Sequence, residues 1–245
     1  MPHIEIAAEK ISSIFGLPIT NSLLMSWLVV GILLTTAWFL SRHMRMVPSM
    51  LQNIVEILVE SFLNLIEGVF GSREEAEKQL PLIVTIFIFI LLSNWLGIMP
   101  GIGSIGFNEK LGGGKVFVPL LRSSASDLNF TLALAVLAVV MVNIMGIRAL
   151  GLGKYFSKYF NFKGPIEFGV GLLELVSEFS KMISFSFRLF GNVFAGEVLL
   201  IIVAFLAPFA APIPFLMLEI FVGFVQALVF AMLTMVFISI AVAHH

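Results

Sequence analysis

Glu174, Glu178, Lys181, Arg188, Asn192, Glu197, Glu219 and Gln226 are set into long apolar runs between residues 165 and 243. Counted from Glu174, the next four fall at offsets of 4, 7, 14 and 18, which places them on roughly one side of a 3.6-residue helix. Glu197 follows Arg188 by nine residues, about 180° around the same helix, so the two face different surroundings. Glu219 and Gln226 are seven apart and share a face. An arginine at the centre of a membrane helix costs about 2.5–3.5 kcal/mol on insertion scales, so such residues point by default to a pathway for ions or protons. A second reading makes Arg188 half of an internal salt bridge that only fixes helix packing. Its nearest carboxylates in sequence, Glu178 and Glu197, are ten and nine residues away. For Glu174, Glu178 and Lys181 a place at the membrane surface fits equally well, with Glu178 and Lys181 pairing at i,i+3.

Other chemistries are excluded. The chain has no cysteine, so disulfides, thiol catalysis and Cys-ligated metals are out. His3, His43, His244 and His245 lie near a terminus or beside a charged loop, which leaves no histidine metal site or triad within the membrane. No metal and no cofactor is expected. No GxxxxGK[ST] phosphate loop occurs, so no ATP site is expected either. The net charge is −1 with no dense basic run, which gives nucleic acid no electrostatic footprint.

The elements that must hold these residues are membrane helices. Of 245 residues 59% are hydrophobic and 12% charged, against about 45–50% and about 25% in a soluble domain. Mean hydropathy is +1.07. The chain reads as one all-α integral membrane domain over 1–245, in a lipid bilayer, with about five spans and one interfacial amphipathic helix. An N-terminal segment, 1–20, precedes a first span over 21–41. Over 48–71 a polar stripe of Asn53, Glu56, Glu60, Asn64 and Glu67, spaced by 3, 4, 4 and 3, marks the interfacial helix. A charged turn, SREEAEKQ, leads to a span over 80–99. A Gly-rich polar loop, 100–127, leads to a span over 128–147. Asn129 and Asn143 share a face of that span, in a channel or in interhelical hydrogen bonds. A loop carrying Arg148, Lys154, Lys158 and Lys163 follows.

The remaining runs, 165–208 and 214–243, are long. A single helix over the first would be about 63 Å at 1.5 Å per residue, against a hydrocarbon core of about 30 Å. It must tilt by roughly 60°, or the chain turns near Gly191-Asn192 and makes two ordinary spans. Arginine and lysine divide eight to four between the two sets of loops. The richer set (Arg42, Arg45, Arg73, Lys78, Arg148, Lys154, Lys158, Lys163) is expected inside and the poorer (Lys10, Lys110, Lys115, Arg122) outside. The N-terminus is then outside and the C-terminus cytoplasmic.

SKMISFSFRLFGNVFAGEVLL, Ser180 to Leu200, resembles the signature of subunit a in the membrane (Fo) sector of F-type ATP synthases. Arg188-Leu189-Phe190-Gly191-Asn192 stands as its RLFGN and Ala195-Gly196-Glu197 as the small pair and acid after it. Ala125-Ser126-Asp127-Leu128-Asn129 resembles the start of the family's fourth helix, and Gln226-Ala227-Leu228-Val229-Phe230 its final helix. The resemblance implies that 165–208 and 214–243 are two long, strongly tilted helices packed along a ring of c subunits. It implies a proton-translocating stator, in a bacterial inner or plasma membrane, with b subunits and the soluble F1 head as further partners. The subunit would not be an enzyme on its own.

The resemblance also implies roles. Arg188 deprotonates the rotor carboxylate and blocks proton leak. Glu197 and Glu219 line an outer half-channel, with Asp127, Asn129 and Asn143 as additions. Glu174, with Glu178 and Ser184, lines the inner one. Asn192 and Gln226 hold the arginine. Many family members carry one carboxyl and one histidine at the positions of Glu197 and Glu219. Here both are Glu, and a coupled pair sharing a proton is expected. A secondary transporter would favour internal repeats, and none is seen. A structural scaffold would not need these charges.

Overall fold

Thr20, Ser49 and Asp127 each start a helix by turning a side-chain oxygen onto a free backbone N–H, of Leu23 at 3.3 Å, Gln52 at 3.5 Å and Asn129 at 3.0 Å. The computed structural model describes residues 8–14, 17–99, 101–102, 105–111, 114–159, 164–208 and 210–243, with the side chains of 108–117, 165 and 243 outside that description. His3, Lys163, His244 and His245 lie outside the described residues.

The helices are α1 (Asn21–Arg42), α2 (Met50–Phe70), α3 (Arg73–Ile98), α4 (Leu128–Leu150), α5 (Leu152–Ser157), α6 (Pro165–Leu206) and α7 (Pro212–Ala243). α1, α3, α4, α6 and α7 are long and apolar enough to cross a membrane. The protein is an all-α membrane protein, as its composition implies. α6 runs 42 residues without a break, so the alternative turn at Gly191-Asn192 does not form. No proline interrupts it after Pro165, and Gly191 alone does not break a helix.

Three expectations are corrected. SREEAEKQ is not a turn. It opens α3, with Glu74 and Glu75 in the first turn, where the helix dipole favours anions, and Lys78 bridging back to them at 3.1 and 2.8 Å. The loop over 100–127 contains an antiparallel hairpin, Gly106–Leu111 with Gly114–Pro119, and a 3-10 turn at Ser124–Ser126. A smaller hairpin pairs Lys10–Ile14 with Leu17–Thr20 in the N-terminal segment. The cationic loop after α4 contains α5.

α2 ends at Gly71, whose φ of 72° is a left-handed cap that glycine adopts freely. Phe62, Leu63 and Ile66 bury its apolar face against α3. Glu60, Asn64 and Glu67 of its polar stripe gather around Arg73 at 3.2–3.3 Å.

The core that positions α6 is built of large rings and small partners. Phe185, Leu189 and Val193, spaced four apart, point inward from α6. Phe185 stacks on Phe230 of α7 with ring centroids 4.6 Å apart. Ala135 and Ala138 of α4 and Ala227 and Ala231 of α7 let the backbones approach closely. Thr131 and Ser186 share a buried hydrogen bond of 3.1 Å between α4 and α6. This seam fixes the rotation of α6, and so fixes which of its residues remain outside.

Candidate functional site

Arg188 directly precedes the buried Leu189, and the α6 rotation turns it outward beside the exposed Phe187 and Gly191. Its guanidinium donates to Ser184 Oγ at 3.4 Å. Among the described residues no carboxylate lies within ion-pair reach of it; Glu174, Glu178 and Glu197 of α6 bind other cations. The internal-salt-bridge reading therefore has no partner to offer. Ser184, expected in the inner group, is the residue that touches Arg188. Asn192 and Gln226 do not bond the arginine. They bond each other, Asn192 Nδ2 donating to Gln226 Oε1 at 3.2 Å, one turn beyond it.

On one side of Arg188, about 13 Å along the helix at 1.5 Å per residue, lies a cluster at Glu197. Its Oε1 sits 3.2 Å from Nε of Arg122, whose side chain is only 10% exposed. Glu219 of α7 is buried and lies against Gly196, where a Cβ would occupy the space of its carboxylate. The two carboxyls expected together are thus brought together, and Gly196 is what permits it. Gly196→Ala is expected to force Glu219 aside at an overpacking cost of about 1–3 kcal/mol. A lower Tm of the purified subunit, recovered in part by adding Glu219→Asp, would register this.

Further polar groups extend the cluster. Asn94 of α3 donates to Gly223 O at 3.0 Å, on the α7 face between Glu219 and Gln226. Ser93 Oγ, Asn94 Oδ1, Ser123 Oγ, Glu197 Oε2 and Gln226 Nε2 are buried without a hydrogen-bond partner among the described residues. Such atoms are normally satisfied by water, so this seam between α3, α6 and α7 is polar rather than oily. Asp127 is nearly buried, and its oxygens accept from Ser22 Oγ at 2.8 Å and from Asn129 N and Nδ2 at 3.0 and 3.3 Å. Asp127 and Asn129 therefore cap α4 and tie it to α1.

On the other side of Arg188, about 21 Å along α6, Glu174 pairs with Lys158 and Glu178 pairs with Lys181 at 2.7 Å. Asn143 belongs to this end. Its Oδ1 accepts from the Tyr155 hydroxyl, which lies 3.3 Å from that of Tyr159. Its expected place with Asp127 and Asn129 is corrected: the three share a helix, but 14 residues of α4 separate Asn143 from Asn129, about 21 Å of rise. Burial is the main cause that pushes both phenols above the usual tyrosine range, so they are neutral donors at neutral pH.

Sequence reasoning missed Arg122, Asn94 and the tyrosine pair. The geometry provides an isolated exposed arginine on an apolar helix, with carboxylate clusters at both ends of that helix.

Comparison with known proteins adds an independent finding. The family described as ATP synthase A chain matches residues 23–239. ATP synthase subunit a of Campylobacter jejuni subsp. jejuni is 35% identical over 215 residues, covering 86% of this chain and 85% of its own. The Campylobacter concisus subunit is 36% identical over 219 residues, covering 88% and 87%. That of Moorella thermoacetica is 32% identical over 231 residues, covering 94% of each.

Proposed function

The chain belongs to the ATP synthase A chain family, and on that premise we propose that Arg188 is the fixed charge past which the carboxylates of a rotating c ring move. Membership makes the protein a multi-pass membrane subunit of the proton-translocating sector, working within a complex rather than as an enzyme alone. The finer reading adds two offset half-channels, coupling proton flow to rotation and ATP synthesis.

One observation carries it: Arg188 is exposed on an apolar helix face, and among the described residues no carboxylate lies in reach of it. A guanidinium left facing lipid without a counter-ion is costly, so the partner comes from outside the subunit. A rotor carboxyl in lipid keeps its proton because burial disfavours its charge. A guanidinium at about 4 Å and an effective dielectric near 20 contributes about 4 kcal/mol, on the order of a thousandfold in proton affinity. An acid arriving opposite Arg188 therefore releases its proton, and one leaving it takes a proton up. Arginine stays charged at working pH, so it also bars direct flow between the two sides.

Glu197, Glu219 and the polar seam with Asn94 and Gln226 form the outer half-channel. Glu174, Glu178, Asn143 and the tyrosine pair line the inner one. Asn192 and Gln226 hold the α6–α7 seam beside the arginine, while Ser184 holds the guanidinium itself. Asp127 and Asn129 serve the outer side by fixing the cap of α4. The excess of lysine and arginine at the Glu174 end supports a cytoplasmic position for it, with the N-terminus outside. The bacterial relatives support a bacterial plasma membrane.

A mild-detergent pull-down of the tagged subunit from its native membrane tests the assignment. A c ring, b subunits and the soluble F1 head are expected to come with it, identified by mass spectrometry. Recovery of a clean homo-oligomer without them would reject the stator reading.

A further inference from the structure

Resting on that reading and deepening it, we propose that Arg122 is the counter-ion of Glu197 and thereby leaves Glu219 as the proton carrier of the outer half-channel. Among the described residues three charged groups meet here from three elements: Arg122 from the segment between the hairpin and the 3-10 turn, Glu197 from α6, Glu219 from α7. α3 contributes only the neutral Ser93 and Asn94. Asp127, at the start of α4, is taken up by Ser22 and Asn129.

The two carboxyls are not equivalent. Arg122 lies 3.2 Å from Glu197 and is nearly buried, so it is a fixed cation that cannot give up its proton. With Glu197 ionised, that pair is neutral. Glu219 is 8% exposed and, among the described residues, pairs with no cation. When protonated it leaves the cluster neutral, and when ionised it leaves one uncompensated negative charge in a buried position. Proton uptake and release thus fall to Glu219, which stands on the same α7 face as Gln226 and so points the path toward Arg188. Arg122 is a positioning residue. Two equal carboxyls would hold one proton between them, whereas Arg122 makes them unequal.

The test compares R122Q, E197Q and R122Q/E197Q in inverted membrane vesicles carrying the whole complex. ATP-driven proton pumping is measured with subunit a quantified by immunoblot. Each single change unbalances the cluster. R122Q leaves two carboxyls without a cation, and E197Q turns Arg122 onto Glu219 and holds it as an anion. Each is expected to lower pumping by roughly tenfold or more. The double change removes both charges and leaves Glu219 alone; it is expected to pump several-fold better than the worse single though still below wild type, a coupling that independent sites do not show. A double variant no better than the worse single, or R122Q that pumps normally, overturns the inference. If R122Q does not accumulate, R122K decides: the cation is kept, so pumping near wild type is expected, and its loss at full accumulation counts against the role. E219Q in the same assay separates the two levels. Normal pumping by E219Q fails the half-channel reading itself, whereas an inactive E219Q without rescue in the double fails only the role of Arg122.

Discussion

Arg188→Ala is expected to leave the subunit assembled in the membrane and to abolish proton-driven ATP synthesis. The two halves of this result have separate causes. Arg188 is exposed and makes a single 3.4 Å hydrogen bond to Ser184. The inward-facing Phe185, Leu189 and Val193 that seat α6 are untouched by the change. The change removes a charge from an apolar helix face, where charge is costly, so it does not unseat the helix. The functional loss is large, because the arginine's field on a rotor carboxyl is worth about 4 kcal/mol at about 4 Å. Removing it leaves the carboxyl protonated throughout its passage, on the order of a thousandfold less able to discharge there. The barrier between the two half-channels goes with it, so vesicles stripped of the F1 head should also leak protons passively. Arg188→Lys is not a conservative replacement. Lysine is a compact ammonium whose charge burial can remove, while the guanidinium keeps its charge. Synthesis at the wild-type rate in the alanine variant, with c ring and b subunits still bound, would end the stator reading.

What could be read from the residues alone follows the range of the interactions involved. Helix periodicity is local, so the one-sided set from Glu174 to Asn192 and the opposed Glu197 were legible, as were the five apolar helices. The uninterrupted α6 was not: sequence physics balanced one tilted helix against two spans, and the resemblance decided it. Arg122 was one cation in a polar loop. Its meaning depends on Glu197, brought to 3.2 Å only by the packing of the 3-10 turn onto α6. Asn143 was misplaced because periodicity gives the face of a helix and says nothing of depth. The notch at Gly146, where a Cβ would fall 2.6 Å from the Tyr155 ring, lets α5 lay Tyr155 against that end of α4. The charged run at the start of α3 reads as a turn by composition. It is helical because its glutamates meet the positive end of the dipole and its lysine pairs one turn back.

The second large effect is expected at Glu219. Glu219→Gln keeps the shape, the burial and one hydrogen-bonding oxygen, so the carboxamide still fits against Gly196 and the subunit should accumulate as before. What it removes is the ability to take up and release a proton. Positioned proton-transfer groups typically contribute 10²–10⁴-fold to rate. Ser93, Asn94 and Gln226 keep the seam polar around the block, so the loss need not be complete. A loss of at least about tenfold in proton-driven synthesis is therefore the expected lower bound. Passive proton conduction through vesicles stripped of the F1 head should fall with it. That readout isolates the channel from rotation under load and from the ATPase sites. Glu219→Asp sharpens the result: the proton is retained, but the carboxyl draws back from Gly196 by one methylene, so conduction should lie between wild type and the glutamine variant. This order would not follow if Glu219 merely packed α7 onto α6, since glutamine preserves packing better than aspartate does. Conduction at the wild-type rate in Glu219→Gln would remove Glu219 from the path. Loss in Glu219→Asp but not in Glu219→Gln would assign it to structure alone.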